Sequence, residues 1–88
     1  MHKTLEELQG LIDEAKEKVE IGGIYFHYKS PDKHYRVTDV VIFEETEEPA
    51  VVYQALYGTN MTWVRKISSW IEEVEVEGGK APRFQKNS

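Results

Sequence analysis

Between residues 4 and 19 apolar side chains recur at steps of three and four. Leu5, Leu8, Ile12, Ala15 and Val19 form one stripe, with Leu11 beside it, and charged residues fill the other side. That period predicts an amphipathic helix whose leucine face lies on the rest of the protein. Thr4 followed by Glu7 fits a capping box, in which each residue's side chain accepts from the other's backbone N–H. Lys16 and Lys18 fall late, where the helix dipole prefers cations. Gly22-Gly23 closes the element.

From Ile24 the period shortens to two. "IYFHYK" (24–29), "YRVTDVVIF" (35–43), "AVVYQALY" (50–57) and "MTWVR" (61–65) are rich in aromatic and β-branched residues and read as strands. "EEVEVEG" (72–78) alternates glutamate with valine and reads as a last full strand with one wet face. Pro31 and Asp32 suit the centre of a type I turn between the first two strands. "EETEEP" (44–49) reads as an exposed connection, and "KISSWI" (66–71) leaves room for one helical turn. "APRF" (81–84) fits a short edge piece, because Pro82 cannot donate to a ladder. Alternation along the first strand assigns Ile24, Phe26 and Tyr28 to the core, and Tyr25, His27 and Lys29 to the outer side.

These elements predict a mainly β (α+β) fold: an N-terminal amphipathic helix packed on a small five-stranded antiparallel SH3-like barrel, closed enough to leave no exposed edge. The 88 residues hold one domain, with helix and sheet sharing one core. Its expected parts are the helix (1–20), the barrel (21–84) and a tail (85–88).

The absence of cysteine excludes disulfides, thiolate metal sites and a cysteine nucleophile. Small secreted domains depend on such staples, so a cytoplasmic location is expected. No apolar run approaches the roughly 20 residues that span a bilayer, and "MHKTLEELQG" lacks the apolar centre of a signal peptide. The net charge of −5 argues against a dedicated nucleic-acid binder. The charge is unevenly placed, however. Six acids lie in residues 4–20, four in 44–48 and four in 72–77, whereas residues 50–71 hold Arg65 and Lys66 and no acid. Residues 78–88 likewise hold Lys80, Arg83 and Lys86 and no acid, so a basic face persists in an acidic chain.

Tyr25 and His27 share a strand face, as do Tyr53 and Tyr57, and Trp63 and Arg65. A guanidinium beside an indole stacks on it and offers donors to an anion, and Arg83 beside Phe84 repeats the pairing. Tyr25, His27, Tyr53, Tyr57, Trp63, Arg65 and Arg83 are therefore the candidate ligand-binding residues of a concave aromatic and basic surface. It suits a non-catalytic binding module for a small anionic ligand, a nucleotide, RNA or a peptide. The same rings serve equally well as barrel core. A second reading is an enzyme or enzyme accessory acting on nucleotides or modified bases, with His27 as acid/base. A third is a structural module, monomer or homodimer, whose leucine face pairs with another copy. There is no glycine-rich phosphate loop, no carboxylate pair in an apolar setting, and no histidine near Ser68 or Ser69 in sequence. His27, His34 and Glu44 lack the spacing of a metal motif, so no metal and no cofactor is expected. Gln54 falls among aliphatic neighbours and needs a definite partner.

Four segments, "GIYFHYK" (23–29), "VVYQALYG" (51–58), "WVR" (63–65) and "PRF" (82–84), occur in order. Through them the chain resembles the bacterial domain of unknown function 1653 family. Members run Gly-x-Tyr-x-His-Tyr-Lys, then Val-Tyr-x-Ala-Leu-Tyr-Gly, Trp-Val-Arg and Pro-Arg-Phe. The resemblance covers residues 22–84 and implies no particular activity. The chain departs from it at "SPDK", where the family's first turn is shorter and glycine-rich, and at the N-terminal helix, which lies outside it.

Overall fold

The computed structural model describes residues 3–87. Helix α1 (Leu5–Lys18) starts at the predicted capping box. Thr4 Oγ1 accepts from the Glu7 N–H at 3.1 Å, and the Glu7 carboxylate accepts from the Thr4 N–H at 2.9 Å. Its first turn stands off, with Leu5 85% exposed, whereas Leu8, Leu11 and Ile12 are half-buried and Ala15 and Val19 are buried. From Leu8 onward the apolar face lies against β2 and β3, as expected. The anchor is the turn that follows, where Gly22 takes φ 88. There Gly22 N–H donates to Val37 O, and Val37 N–H donates to Gly23 O. A left-handed φ of this kind suits a residue without Cβ.

Strands β1 (Ile24–His27), β2 (Ser30–Phe43), β3 (Glu48–Ala55) and β4 (Thr62–Lys66) follow, then the single turn α2 (Ile67–Trp70). Strands β5 (Glu73–Val76), β6 (Gly79–Pro82) and β7 (Phe84–Lys86) complete the chain. Five strands make one antiparallel sheet in the order β4-β3-β2-β1-β7, and β5 and β6 form a separate hairpin. β4 and β7 do not pair, so the sheet is open and the expected SH3-like closure is not present. The reason lies in α2. Instead of carrying β5 onto the end of the sheet, the chain after β4 turns inward and puts Trp70 against the sheet's inner face.

The first reversal also differs from the turn expected at Pro31-Asp32. It falls at Tyr28-Lys29, so that His27 faces Ser30, while Phe26 already faces His34. Pro31, Asp32 and Lys33 are taken up as an irregularity in β2. Two bonds favour the earlier turn: Lys29 N–H donates to His27 Nδ1 at 3.2 Å, and Tyr28 N–H donates to Arg83 O at 3.0 Å. Proline is tolerated where the ladder is already broken. The "EETEEP" connection is likewise shorter than expected, because Glu48 and Pro49 join β3 opposite Phe43 and Ile42. The C-terminal residues expected as a tail include most of β7, which pairs with β1.

The core is one face of the sheet closed by Trp70. Val19, Tyr25, Val37, Val51, Tyr53, Trp70 and Phe84 form it. Trp70 stacks on Phe84 with centroids 3.9 Å apart and planes 3° from parallel. It meets Tyr53 and Tyr25 edge-on at 4.9 and 5.4 Å. This inverts the expected faces of β1: Tyr25 is buried, while Ile24, Phe26 and Tyr28 are half-buried. The buried Tyr25 hydroxyl is satisfied by the Glu20 N–H at 3.0 Å. Gln54 also finds its partner, donating from Nε2 to Asn60 O at 3.2 Å. Among the described residues no helix is long and apolar enough to cross a membrane.

Candidate functional site: an aromatic and basic recess

Tyr53 of β3 stands opposite Trp63 of β4, and Ala55 stands opposite Tyr35 of β2. Tyr57, just past β3, meets Tyr35 edge-on with ring centroids 5.6 Å apart. The result is an open recess of about 220 Å³ lined by Tyr35, Tyr53, Tyr57, Trp63 and Arg65. Tyr53 is buried as its floor, whereas Trp63 is 51% and Tyr57 38% exposed at its rim. The Tyr35 and Tyr57 hydroxyls share a hydrogen bond of 2.7 Å. Burial, and then that bond, push the Tyr35 phenol up to about 12, so it stays neutral across the physiological range.

Arg65 supplies the charge. Its Nη1 donates to Ser69 Oγ at 3.0 Å, and its guanidinium carbon lies over the Phe84 ring, 5.2 Å from the centroid. Its Nε is buried with no partner. Among the described residues no carboxylate forms an ion pair with it. A half-buried guanidinium with an orphaned donor and no counter-ion lacks the pairing that burial of charge normally requires.

Arg83 has a different position. Its Nε donates to Ser69 O at 3.1 Å and its Nη2 bonds Glu72 at 2.6 Å, so it braces α2 and does not line the recess. His27 lies behind the recess, edge-on to Phe84 at 5.1 Å. Its Nδ1 accepts from Lys29 N–H, which assigns the proton of the neutral ring to Nε2. Tyr25 is buried in the core against Trp70 and does not line the recess. Thus four of the seven expected residues, Tyr53, Tyr57, Trp63 and Arg65, come together, and Tyr25, His27 and Arg83 do not join them. Tyr35 and Phe84 were missing from the expected set. Tyr35 was legible as the face-mate of Val37, but its meeting with Tyr57 depends on a pairing between distant strands.

Burial first, then the charges of Arg65, Arg83 and Lys29, hold the His27 pKa below the ordinary 6.5. The folded state therefore binds fewer protons than the unfolded state just below pH 6.5, and stability falls as pH drops through the folded-state pKa. Urea midpoints measured from pH 7.5 to 5 should decline, and His27→Gln should flatten that decline. An unchanged slope in the variant would assign the acid sensitivity elsewhere. The lowered carboxylates Glu7 and Glu48 act below their ordinary 4.5, outside this window.

A larger hollow of about 470 Å³ lies beside the last turn of α1, along Lys16–Ile21, Tyr25 and Lys86. Its walls are mostly exposed, and its Lys86–Glu20 pair is already made at 2.7 Å, so it holds less unspent chemistry than the recess. Among the described residues no group of three His, Asp or Glu side chains is placed to hold a metal.

Residues 23–86 match the family model described as a protein of unknown function, DUF1653. A crystal structure of a DUF1653 protein from Bordetella bronchiseptica is similar at 35% sequence identity and a TM-score of 0.61. The likeness covers 72% of this chain and 81% of that one. No curated protein matches the chain. α1 precedes the matched region, which contains every residue of the recess.

Proposed function

As this chain belongs to the DUF1653 family, whose function is unassigned, we propose a role for it from the recess: a non-catalytic binding module for a ligand that presents a carboxylate or phosphate close to a planar or apolar group. The observation that carries this reading is Arg65, half-buried and, among the described residues, without a carboxylate partner, on the wall of a recess otherwise made of rings. An anion supplies the missing counter-charge through charge-assisted bonds. Trp63 and Tyr57 offer exposed ring faces for the remainder of the ligand. Cytoplasmic action on such a ligand accords with a cysteine-free chain.

The test uses Trp63 as reporter, since Trp70 is buried. Nucleoside 5′-monophosphates, 4-hydroxybenzoate and N-acetylglutamate amide are titrated while indole fluorescence is followed. At least one should quench it saturably, and Arg65→Ala should weaken that binding about 10- to 100-fold, the usual worth of a hydrogen-bonded charge. Saturable binding that is unchanged in Arg65→Ala, or no response to any of the three classes, would sink the proposal. The enzymatic reading is less well supported. His27 Nδ1 is engaged by its own turn, and its ring lies behind the recess rather than in it.

A further inference from the structure

β4 is one end of the sheet, and its backbone is paired on one side only. Through Gln54↔Thr62 to Ala50↔Lys66 its inner side faces β3. Among the described residues nothing else bonds the backbone of residues 62–66 from the outer side. Natural sheet edges are commonly blunted by projecting charge, proline, a bulge or shortness. The opposite edge, β7, is three residues long. β4 has none of these devices. It contains no proline, and its register runs unbroken over five residues. Its two cations are drawn back over the sheet, Arg65 to Ser69 and Lys66 to Glu48 at 3.2 Å. What stands along it is apolar: Met61 is 52%, Trp63 51% and Val64 54% exposed.

We infer that β4 is a docking edge for an extended acidic segment of a partner protein, which adds to the sheet as a sixth strand and sets one carboxylate against Arg65. This rests on the recess as an anion site and adds that the anion arrives on an extended chain. The two features share one strand: Trp63 and Arg65 line the recess, and β4 is its open wall. A guest residue opposite Arg65 points to the recess face, as does the one opposite Trp63, while the residue between them lies on the other face beside Val64. Charge selects the guest. Lys66 is already paired with Glu48, but Arg65 has no carboxylate partner among the described residues, and Lys33 stands over Tyr57 at 5.3 Å near the recess mouth. A second copy laid β4 to β4 would bring together two Arg65 guanidinium groups, neither with a carboxylate partner among the described residues, an arrangement like charges oppose.

The probe is an acetylated, amidated heptapeptide alternating valine and glutamate, followed by amide NMR of the whole chain. It should shift the signals of residues 62–66 and slow their hydrogen exchange. Two control peptides should each bind at least tenfold more weakly: one with lysine for glutamate, and one N-methylated on alternate residues so that its edge cannot donate. Arg65→Ala should weaken binding of the glutamate peptide to a similar extent. Equal binding of either control, shifts away from β4, or self-association through β4 in sedimentation equilibrium would overturn the inference. If a nucleoside monophosphate quenches Trp63 but the glutamate peptide does not bind, the edge inference fails and the recess reading stands. If neither the peptide nor any of the three small anions binds, the recess reading itself fails.

Discussion

Trp70→Ala should lower the stability of the domain by about 3–5 kcal/mol, the range for deleting a large buried aromatic. Trp70 is 2% exposed and is the largest fully buried side chain. It stacks on Phe84 and meets Tyr53 and Tyr25 edge-on, so its loss opens a void touching the rings of β1, β3 and β7 together. α2 is one turn long and cannot collapse inward far without breaking the Arg83 bond to Ser69 O. Domains carry roughly 0.05–0.15 kcal/mol of stability per residue, so the loss takes a large share of the total. In domains of this size 1 kcal/mol moves the melting temperature by about 4–8 °C. A thermal melt followed by circular dichroism should therefore fall by on the order of 20 °C. Trp70→Phe, which keeps a ring in place, should fall by clearly less. A drop of under about 5 °C in the alanine variant would show that Trp70 does not close the core.

Much of this frame was written locally and was therefore legible. The start of α1 depends on Thr4 and Glu7, three residues apart, and both halves of the capping box formed where the pattern put them. The strand segments were legible from alternation, as was the face shared by Trp63 and Arg65. What was not legible depends on partners far along the chain. Both faces of β1 carry rings, so alternation could not choose between Phe26 and Tyr25. The choice falls to Trp70, forty-five positions beyond Tyr25, whose indole packs on the Tyr25 ring. Closure of the sheet was expected because five strands with tight turns commonly close. It fails because β7 takes the free side of β1 while β4 ends in α2. The turn was placed at Pro31-Asp32 on composition, yet the bond from Tyr28 N–H to Arg83 O pulls the reversal three residues earlier. The recess was half visible for the same reason. Tyr53 and Trp63 were assigned to their faces, but the meeting of Tyr35 with Tyr57 needs β2 and β3 in register.

Phe84 is where core and recess meet, and removing its ring should damage both in separable ways. Its side chain is 5% exposed, and Phe84→Ala should cost about 3–5 kcal/mol on the same grounds as Trp70. The ring also supports the two cationic or ionisable groups near the recess. Arg65 lies over it at 5.2 Å and His27 meets it edge-on at 5.1 Å. Phe84→Leu keeps most of the apolar volume and should cost less than about 2 kcal/mol. It nevertheless removes the ring face under the guanidinium, an interaction worth about 0.5–2 kcal/mol. The leucine variant should therefore unfold cooperatively, with a clearly smaller loss of stability than the alanine variant, while binding the recess ligand several-fold more weakly. Its His27 should titrate at a different pH, because the ring that shields it from water is gone. These readouts separate packing from positioning. If Phe84→Leu loses stability but binds normally with an unmoved His27 titration, Phe84 is core alone. The recess would then be held by β3 and β4 without it.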